Sequence, residues 1–169
     1  MSDHQVLLDE ALAAWRGARA GFIAEVENIP AEHFDFRPAE GVRSIKELCV
    51  HILEVAMMMV GELTREHADF TRAGPGALAK EYAGPAYALN TRQDLLAMLR
   101  TQLDEGEAAF RVLGEGMFGP VKQFDGSTGT RFSWFHHGIA QEMYHRGQMT
   151  VYARLLGIVP ALTKRIHGG

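Results

Sequence analysis

The sequence predicts an all-α protein, a four-helix bundle with long crossover loops that forms a single domain over residues 1–169. Two observations lead to this fold class. Four long segments carry apolar residues at the three- and four-residue steps of an amphipathic helix, and no useful length of chain alternates apolar and polar residues as a strand does. Gly- and Pro-rich stretches separate the four segments, as expected for the connections of a helix bundle.

The first two helices have clear sequence signals at their ends. The first is predicted from about Asp3 to Asn28, and Pro30 closes it. The second begins after Ser44, because Ser44 and Glu47 together have the spacing of a capping box. Its apolar stripe continues to about Glu66.

The second half of the chain contains the other two predicted helices. A long Gly-, Ala- and Pro-rich loop is expected from about His67 to Asn90, and loops of this length are often functional. Asn90 or Thr91 then caps a third helix that fades near Gly114. The last helix is predicted over 132–156, with Gly157 as its terminator.

Composition excludes several classes of function. A net charge of -4 gives no basic footprint, so no nucleic-acid partner is expected. No apolar run is long enough to cross a membrane, and the N-terminus lacks the pattern of a signal peptide. The single cysteine, Cys49, excludes an intrachain disulfide and falls among core positions, where thiols are usually inert. These features predict a cytoplasmic protein.

A polar and aromatic stripe on the last helix is the strongest sign of function. It consists of His137, Gln141, His145, Gln148 and Tyr152. Residues four apart share one helix face, and we expect this face to point into the bundle. Neutral imidazole is the commonest protein ligand for transition metals, so His51 of the second helix, placed alongside, would complete a small metal site.

The opposite face of the last helix predicts an oligomer. Phe135, Ile139 and Met143 fall on an otherwise charged side. Apolar residues in such a place indicate a subunit interface rather than exposure to water. The sequence therefore predicts a homodimer.

Two segments resemble motifs of the DinB/YfiT-like family. The stretch from Ser44 to Ile52 is similar to that family's second-helix motif, which opens with Ser-Ile and carries an inward histidine. The run His145-Arg146-Gly147-Gln148, with Tyr152, Arg154 and Gly157 after it, resembles the last-helix motif. The likeness covers essentially the whole chain in helix order.

The resemblance implies a four-helix bundle, commonly dimeric, with a divalent metal held by three histidines. His51 and His145 match the first and third ligands, but the second position is Gln141. A carboxamide oxygen is a weaker donor than imidazole for zinc or nickel. Three interpretations remain: Gln141 ligates through its oxygen, it hydrogen-bonds a metal-bound water, or the site is degenerate and the protein works without metal.

The same resemblance implies a metal-dependent enzyme that acts on a small molecule, of the thiol S-transferase or hydrolase type. Zinc, nickel or manganese would be the metal, and a low-molecular-weight thiol such as bacillithiol or mycothiol the second cofactor. Gln148 and Tyr152 would orient water or cofactor, and the loops 67–90 and 115–130 would border the substrate pocket. The alternative is a non-catalytic dimeric module for binding or bacterial stress response, which Gln141 favours.

Overall fold

The computed structural model describes residues 2–168, in which helices dominate and the predicted all-α class is confirmed. The α-helices are α1 (Asp3–Asn28), α2 (Ile45–Leu63), α3 (Pro75–Tyr87), α4 (Arg92–Leu113), α5 (Arg131–Leu155) and α6 (Ala161–His167). Short 3₁₀ turns follow α1 and α4, at Ala31–His33 and Gly114–Phe118. Strands β1 (Pro120–Lys122) and β2 (Thr128–Thr130) pair antiparallel in a small hairpin before α5.

The four long helices form the predicted bundle. α1 packs against α4 and α5, and α2 packs against the same two helices. The remaining helices lie outside this arrangement, α3 against α2 and α6 against α1. α2 and α5, the two helices predicted to carry the site, are therefore direct neighbours.

The capping signals of the sequence are confirmed. The Ser44 hydroxyl accepts a hydrogen bond from the Glu47 amide, and the Glu47 carboxylate accepts one from the Ser44 amide at 2.8 Å. The hydroxyl of Thr91 caps α4 in the same way. Each bond satisfies an amide that the helix itself leaves without a partner. Gly157, with φ of +74°, ends α5 as predicted.

The loop predicted between His67 and Asn90 is wrong, because α3 lies within it. Pro75 occupies the start of α3, where its missing amide hydrogen costs nothing. The helix is kinked at Ala83. Its Gly and Pro residues weaken the sequence signal for a helix, but the segment still folds as one. Leu78, Ala83 and Ala86 are buried, which shows that packing on α2 stabilises a segment of poor intrinsic propensity.

The sequence does not predict the short α6, because a Pro at position 160, soon after Gly157, is typical of the end of the preceding helix. In the fold Glu25 of α1 is fully buried and its carboxylate accepts hydrogen bonds from the amides of Ala161 and Leu162. A carboxylate at a helix N-terminus accepts hydrogen bonds from the free amides, and its negative charge interacts favourably with the positive end of the helix dipole. Glu25 thus attaches α6 to α1.

A buried ion pair crosses the bundle. Arg19 of α1 donates two hydrogen bonds to the Glu142 carboxylate of α5, at 2.6 and 2.8 Å, and both side chains are buried. Trp15 donates to the same carboxylate, and the Arg19 guanidinium also bonds the Leu99 carbonyl of α4. The charges of Arg19 and Glu142 are thereby paired, as their burial requires.

Within residues 2–168, no helix has the length and apolar character of a membrane span.

Candidate metal centre and adjoining groove

His51 of α2 and His145 of α5 meet across the interface of their helices. Their ring centroids lie 4.8 Å apart, with the rings almost perpendicular at 87°. The two residues are 94 positions apart in the chain, so only the packing of α2 on α5 brings them together. The fold therefore brings these two histidines together, as the sequence predicts.

Each of the two imidazoles is oriented by an oxygen three residues further along its own helix. His51 Nδ1 lies 2.9 Å from the Glu54 carboxylate, and His145 Nδ1 lies 2.8 Å from the Gln148 side-chain oxygen. Both oxygens can only accept a hydrogen bond, so each Nδ1 carries the hydrogen. In the neutral ring this leaves the lone pair on Nε2, the tautomer that a metal-binding histidine needs.

The Nε2 atom of His145 is buried and has no hydrogen-bond partner within residues 2–168. Only 4% of this residue is exposed. Burial lowers the pKa of His145; the hydrogen bond with Gln148 partly offsets this effect, and the neighbouring His51 and Arg43 lower the pKa further. The neutral ring with an unused lone pair is therefore favoured, and this form fits a metal ion.

Gln141 lies one helical turn before His145 and is half-buried. No group of three or more His, Cys, Asp or Glu side chains suited to a metal occurs in the described part of the chain. A third protein donor beside the two imidazoles would therefore be of another type, and the sequence offers the carboxamide of Gln141. The assignment of Gln141 as a ligand stays a prediction.

Tyr152 is buried in the core, and burial raises its pKa. Its hydroxyl donates a 2.8 Å hydrogen bond to the backbone carbonyl of Arg43, just before α2 begins. Gln148 orients His145 as described above. Both residues therefore have positioning contacts, while their predicted contact with a cofactor remains a prediction.

The predicted inward face of α5 is only partly correct. His137 is exposed and stacks on Trp134, with 4.8 Å between ring centroids, so it lies outside the site. Phe135 is buried in the core instead of lying at a subunit interface, and Ile139 packs partly buried against the same core. The difference has a physical cause: Glu142 lies on the charged side of the helix, but it is buried and paired with Arg19, so this side faces into the bundle.

A groove of about 800 Å³ adjoins the histidine pair. α2 contributes His51, Glu54, Val55 and Met58, and α3 contributes Pro75, Ala79, Lys80 and Tyr87. His145 contacts His51 but does not itself line the groove. Residues of segment 67–90 thus line the groove through α3, whereas none from 115–130 does; that the groove is the substrate pocket stays a prediction.

Sequence reasoning missed Glu54 and the two cations at the groove, Arg43 and Lys80. Glu54 could have been found, because it follows His51 at the same three-residue spacing that separates Gln148 from His145. Arg43 and Lys80 had no such signal. Their shared position at the groove depends on how α3 packs on α2, which the sequence does not reveal.

Comparison with known families decides the relationship that the motifs suggested. The family model of the DinB family matches residues 1–166. The chain belongs to the DinB family. No match was found among proteins of curated function.

Solved structures show the same fold. A DinB-like protein from Bacillus subtilis is similar with a TM-score of 0.65 at 19% identity, over 88% of this chain and 92% of that one. A candidate DinB family member from Exiguobacterium sibiricum gives a TM-score of 0.59 at 23% identity, over 93% and 94% of the two chains. The mycothiol-dependent maleylpyruvate isomerase gives a TM-score of 0.67 at 15% identity, over 88% of this chain and 63% of that enzyme.

Proposed function

We propose that this DinB family protein is a divalent-metal-dependent enzyme acting on a small molecule, of the thiol S-transferase or hydrolase type. His51 and His145 would hold the metal, with Gln141 as a third donor or as the partner of a bound water. A bound divalent metal would supply Lewis acidity and lower the pKa of a water or thiol beside it. Zinc, nickel and manganese all accept such nitrogen and oxygen donors.

One observation carries the proposal: the edge-to-face pair of imidazoles in which each Nδ1 is held by an acceptor and the Nε2 of His145 is buried without a partner. An unpaired buried polar atom costs free energy, and a bound ion beside it is one way in which that cost is removed. Two or three protein donors leave coordination positions open, as in catalytic rather than structural sites.

The test is elemental analysis of the untagged protein by inductively coupled plasma mass spectrometry. We expect about one divalent metal per chain in the wild type and a loss of metal in His51→Ala and His145→Ala. His136→Ala is the matched control, because His136 is an exposed histidine on the same helix α5 as His145. Full metal occupancy in both site variants would refute the proposal.

The competing function is a non-catalytic binding or stress-response module with a degenerate metal site. Gln141 favours it, since a neutral carboxamide stands where a third imidazole is expected. In that case the wild type binds no metal even in excess zinc, and Gln141→His gains tight binding. Metal bound by the wild type at the two histidines would exclude this alternative.

A low-molecular-weight thiol is the second cofactor that we propose. The support is the structural likeness to an isomerase described as mycothiol-dependent. The groove beside His51 offers the space that a thiol and a substrate need together. Addition of a thiol to the cobalt-substituted protein should produce a thiolate-to-cobalt absorption band. If mycothiol, bacillithiol and glutathione all fail to produce this band, the thiol part of the proposal is refuted.

We also propose a homodimer that works in the cytoplasm. Its contact surface is not the one that the sequence predicted, because Phe135 is buried within the chain. The outer face of α5 offers a different apolar surface, which is argued at the scale of the whole molecule below.

A further inference from the structure

We infer that the groove beside the histidine pair binds a small amphipathic anion, whose anionic group lies between Arg43 and Lys80 and whose apolar body lies against α2 and α3. The inference rests on the proposed function, since it names the class of ligand that the same site takes. A carboxylate is the simplest anionic group with this chemistry.

The charges around the groove are unbalanced. Arg43 and Lys80 both line it, and neither forms a salt bridge with any residue in 2–168. The one acidic side chain of the groove, Glu54, is hydrogen-bonded to His51, so two cations face a single carboxylate. By contrast, Arg72 on the same side of the molecule is paired with Glu62 and Glu81. The two unpaired cations are therefore available to a ligand.

Arg43 is held in place by its backbone. Its carbonyl accepts the hydrogen bond from Tyr152, and the next residue, Ser44, is fixed by the capping box with Glu47. A buried tyrosine and a helix cap thus fix the backbone from which this exposed, unpaired side chain extends. Such pre-organised support lowers the entropy that a ligand must remove on binding.

The start of α3 adds to the positive potential. Pro75 and Gly76, its first residues, line the groove, and no side chain caps this end of the helix. The N-terminal end of a helix carries a partial positive charge, which favours an anion nearby. This feature reinforces the two cations and points to the same ligand.

The rest of the lining is mostly apolar. Val55 and Met58 of α2 face Ala79 and Tyr87 of α3 across the groove. Partial burial and the neighbouring Glu54 carboxylate raise the pKa of Tyr87 to about 12, so this phenol stays neutral. An apolar wall with two unpaired cations in its lining suits an apolar body that ends in a negative group.

The experiment compares two probes of similar shape, phenylbutyrate and phenylbutanol, by isothermal titration with the metal-free protein. We expect the carboxylate to bind more tightly than the alcohol. Arg43→Gln with Lys80→Gln should weaken phenylbutyrate about tenfold and leave phenylbutanol unchanged. Arg154→Gln is the control, because Arg154 is an exposed arginine on α5 outside the groove. Equal binding of the two probes to the wild type would overturn the inference, as would an equal loss in the control.

A second arm identifies which molecule carries the anion. In the cobalt-substituted protein, mercaptopropionate is compared with mercaptoethanol through the thiolate-to-cobalt band. If the double variant weakens only mercaptopropionate, the anion belongs to the thiol cofactor; if it weakens neither thiol while still weakening phenylbutyrate, the anion belongs to the substrate. Both results support the anion site.

The two proposals fail in different ways. Protein that binds no metal but prefers phenylbutyrate through Arg43 and Lys80 retains the anion site and refutes the metalloenzyme. Protein that binds metal at His51 and His145 but does not distinguish the two probes retains the metalloenzyme and refutes the anion site. All three substituted positions are exposed, so the folding of both variants is checked by an unchanged melting temperature.

Discussion

Gln148 acts on the site through His145 rather than by itself. Its oxygen holds Nδ1 and so fixes both the orientation and the tautomer of the ring. We expect Gln148→Ala to weaken metal binding by about 10- to 100-fold, because the ring is then free to rotate. Gln148→Glu keeps an acceptor at the same place and should restore most of the affinity. Titration with zinc against a competing chelator measures both, and equal affinities for the two variants would contradict the assigned role.

Cys49 is the one thiol of the chain, and burial makes it unreactive. The residue is fully buried in the core, and burial raises its pKa to about 12. We expect no alkylation of the native protein by iodoacetamide over hours, and one carbamidomethyl group per chain after unfolding in guanidinium chloride. Rapid labelling of the native protein, measured by mass spectrometry, would show that the thiol is accessible.

At this scale the sequence predicted the two imidazoles well and their surroundings poorly. His145 stands out because it belongs to the polar and aromatic stripe of the last helix, and both His51 and His145 lie in recognisable motifs. The positions of Arg43 and Lys80 depend on the packing of α3 against α2. His137 was misassigned because four-residue spacing identifies a shared face but not the direction in which that face points.

Among the elements, α3 depends most on its neighbour. Arg72, just before α3, and Tyr82 within it both donate hydrogen bonds to the buried Glu62 carboxylate of α2. The Tyr82 ring also lies directly over Gly61, so α3 can approach only because Gly61 has no side chain. Since these contacts are tertiary, the local sequence could not predict α3, whereas the caps of α2 and α4 are local and the sequence predicts both.

Gly61→Ala tests this dependence. The added Cβ would clash with the Tyr82 ring, so we expect the free energy of unfolding to fall by about 1–3 kcal/mol. Gly17→Ala is the matched control: this helical glycine has open space around it, and alanine there should stabilise the protein by about 0.5–1 kcal/mol. Urea unfolding measures both variants, and an equal effect on the two would contradict the close packing of α3.

The whole molecule presents an uncharged stripe along the outside of α5. The stripe consists of the exposed residues Ala140, Tyr144, Gly147, Val151 and Leu155. They repeat at three- and four-residue steps, so they form one continuous face about four turns long. A face of this kind can pair with its own copy about a two-fold axis, which supports the proposed homodimer.

Charge introduced into this stripe should separate the dimer. We expect sedimentation of the wild type at tens of micromolar to show a dimer, and Val151→Glu to show a monomer, because the new carboxylates would be buried against each other. Val112→Glu is the control, since Val112 is 90% exposed on α4, away from the stripe. A monomeric wild type, or a dimer that survives Val151→Glu, would contradict this surface.

The buried pair of Arg19 and Glu142 has a consequence for how far the groove can be altered. Glu142 lies three residues before His145, so its ion pair with Arg19 of α1 also fixes the position of the imidazole along the bundle. His51 and most of the groove belong to α2 and α3, which this ion pair does not include. Substitutions in α2 and α3 can therefore change the ligand preference of this protein without removing the contact that sets the register of α5.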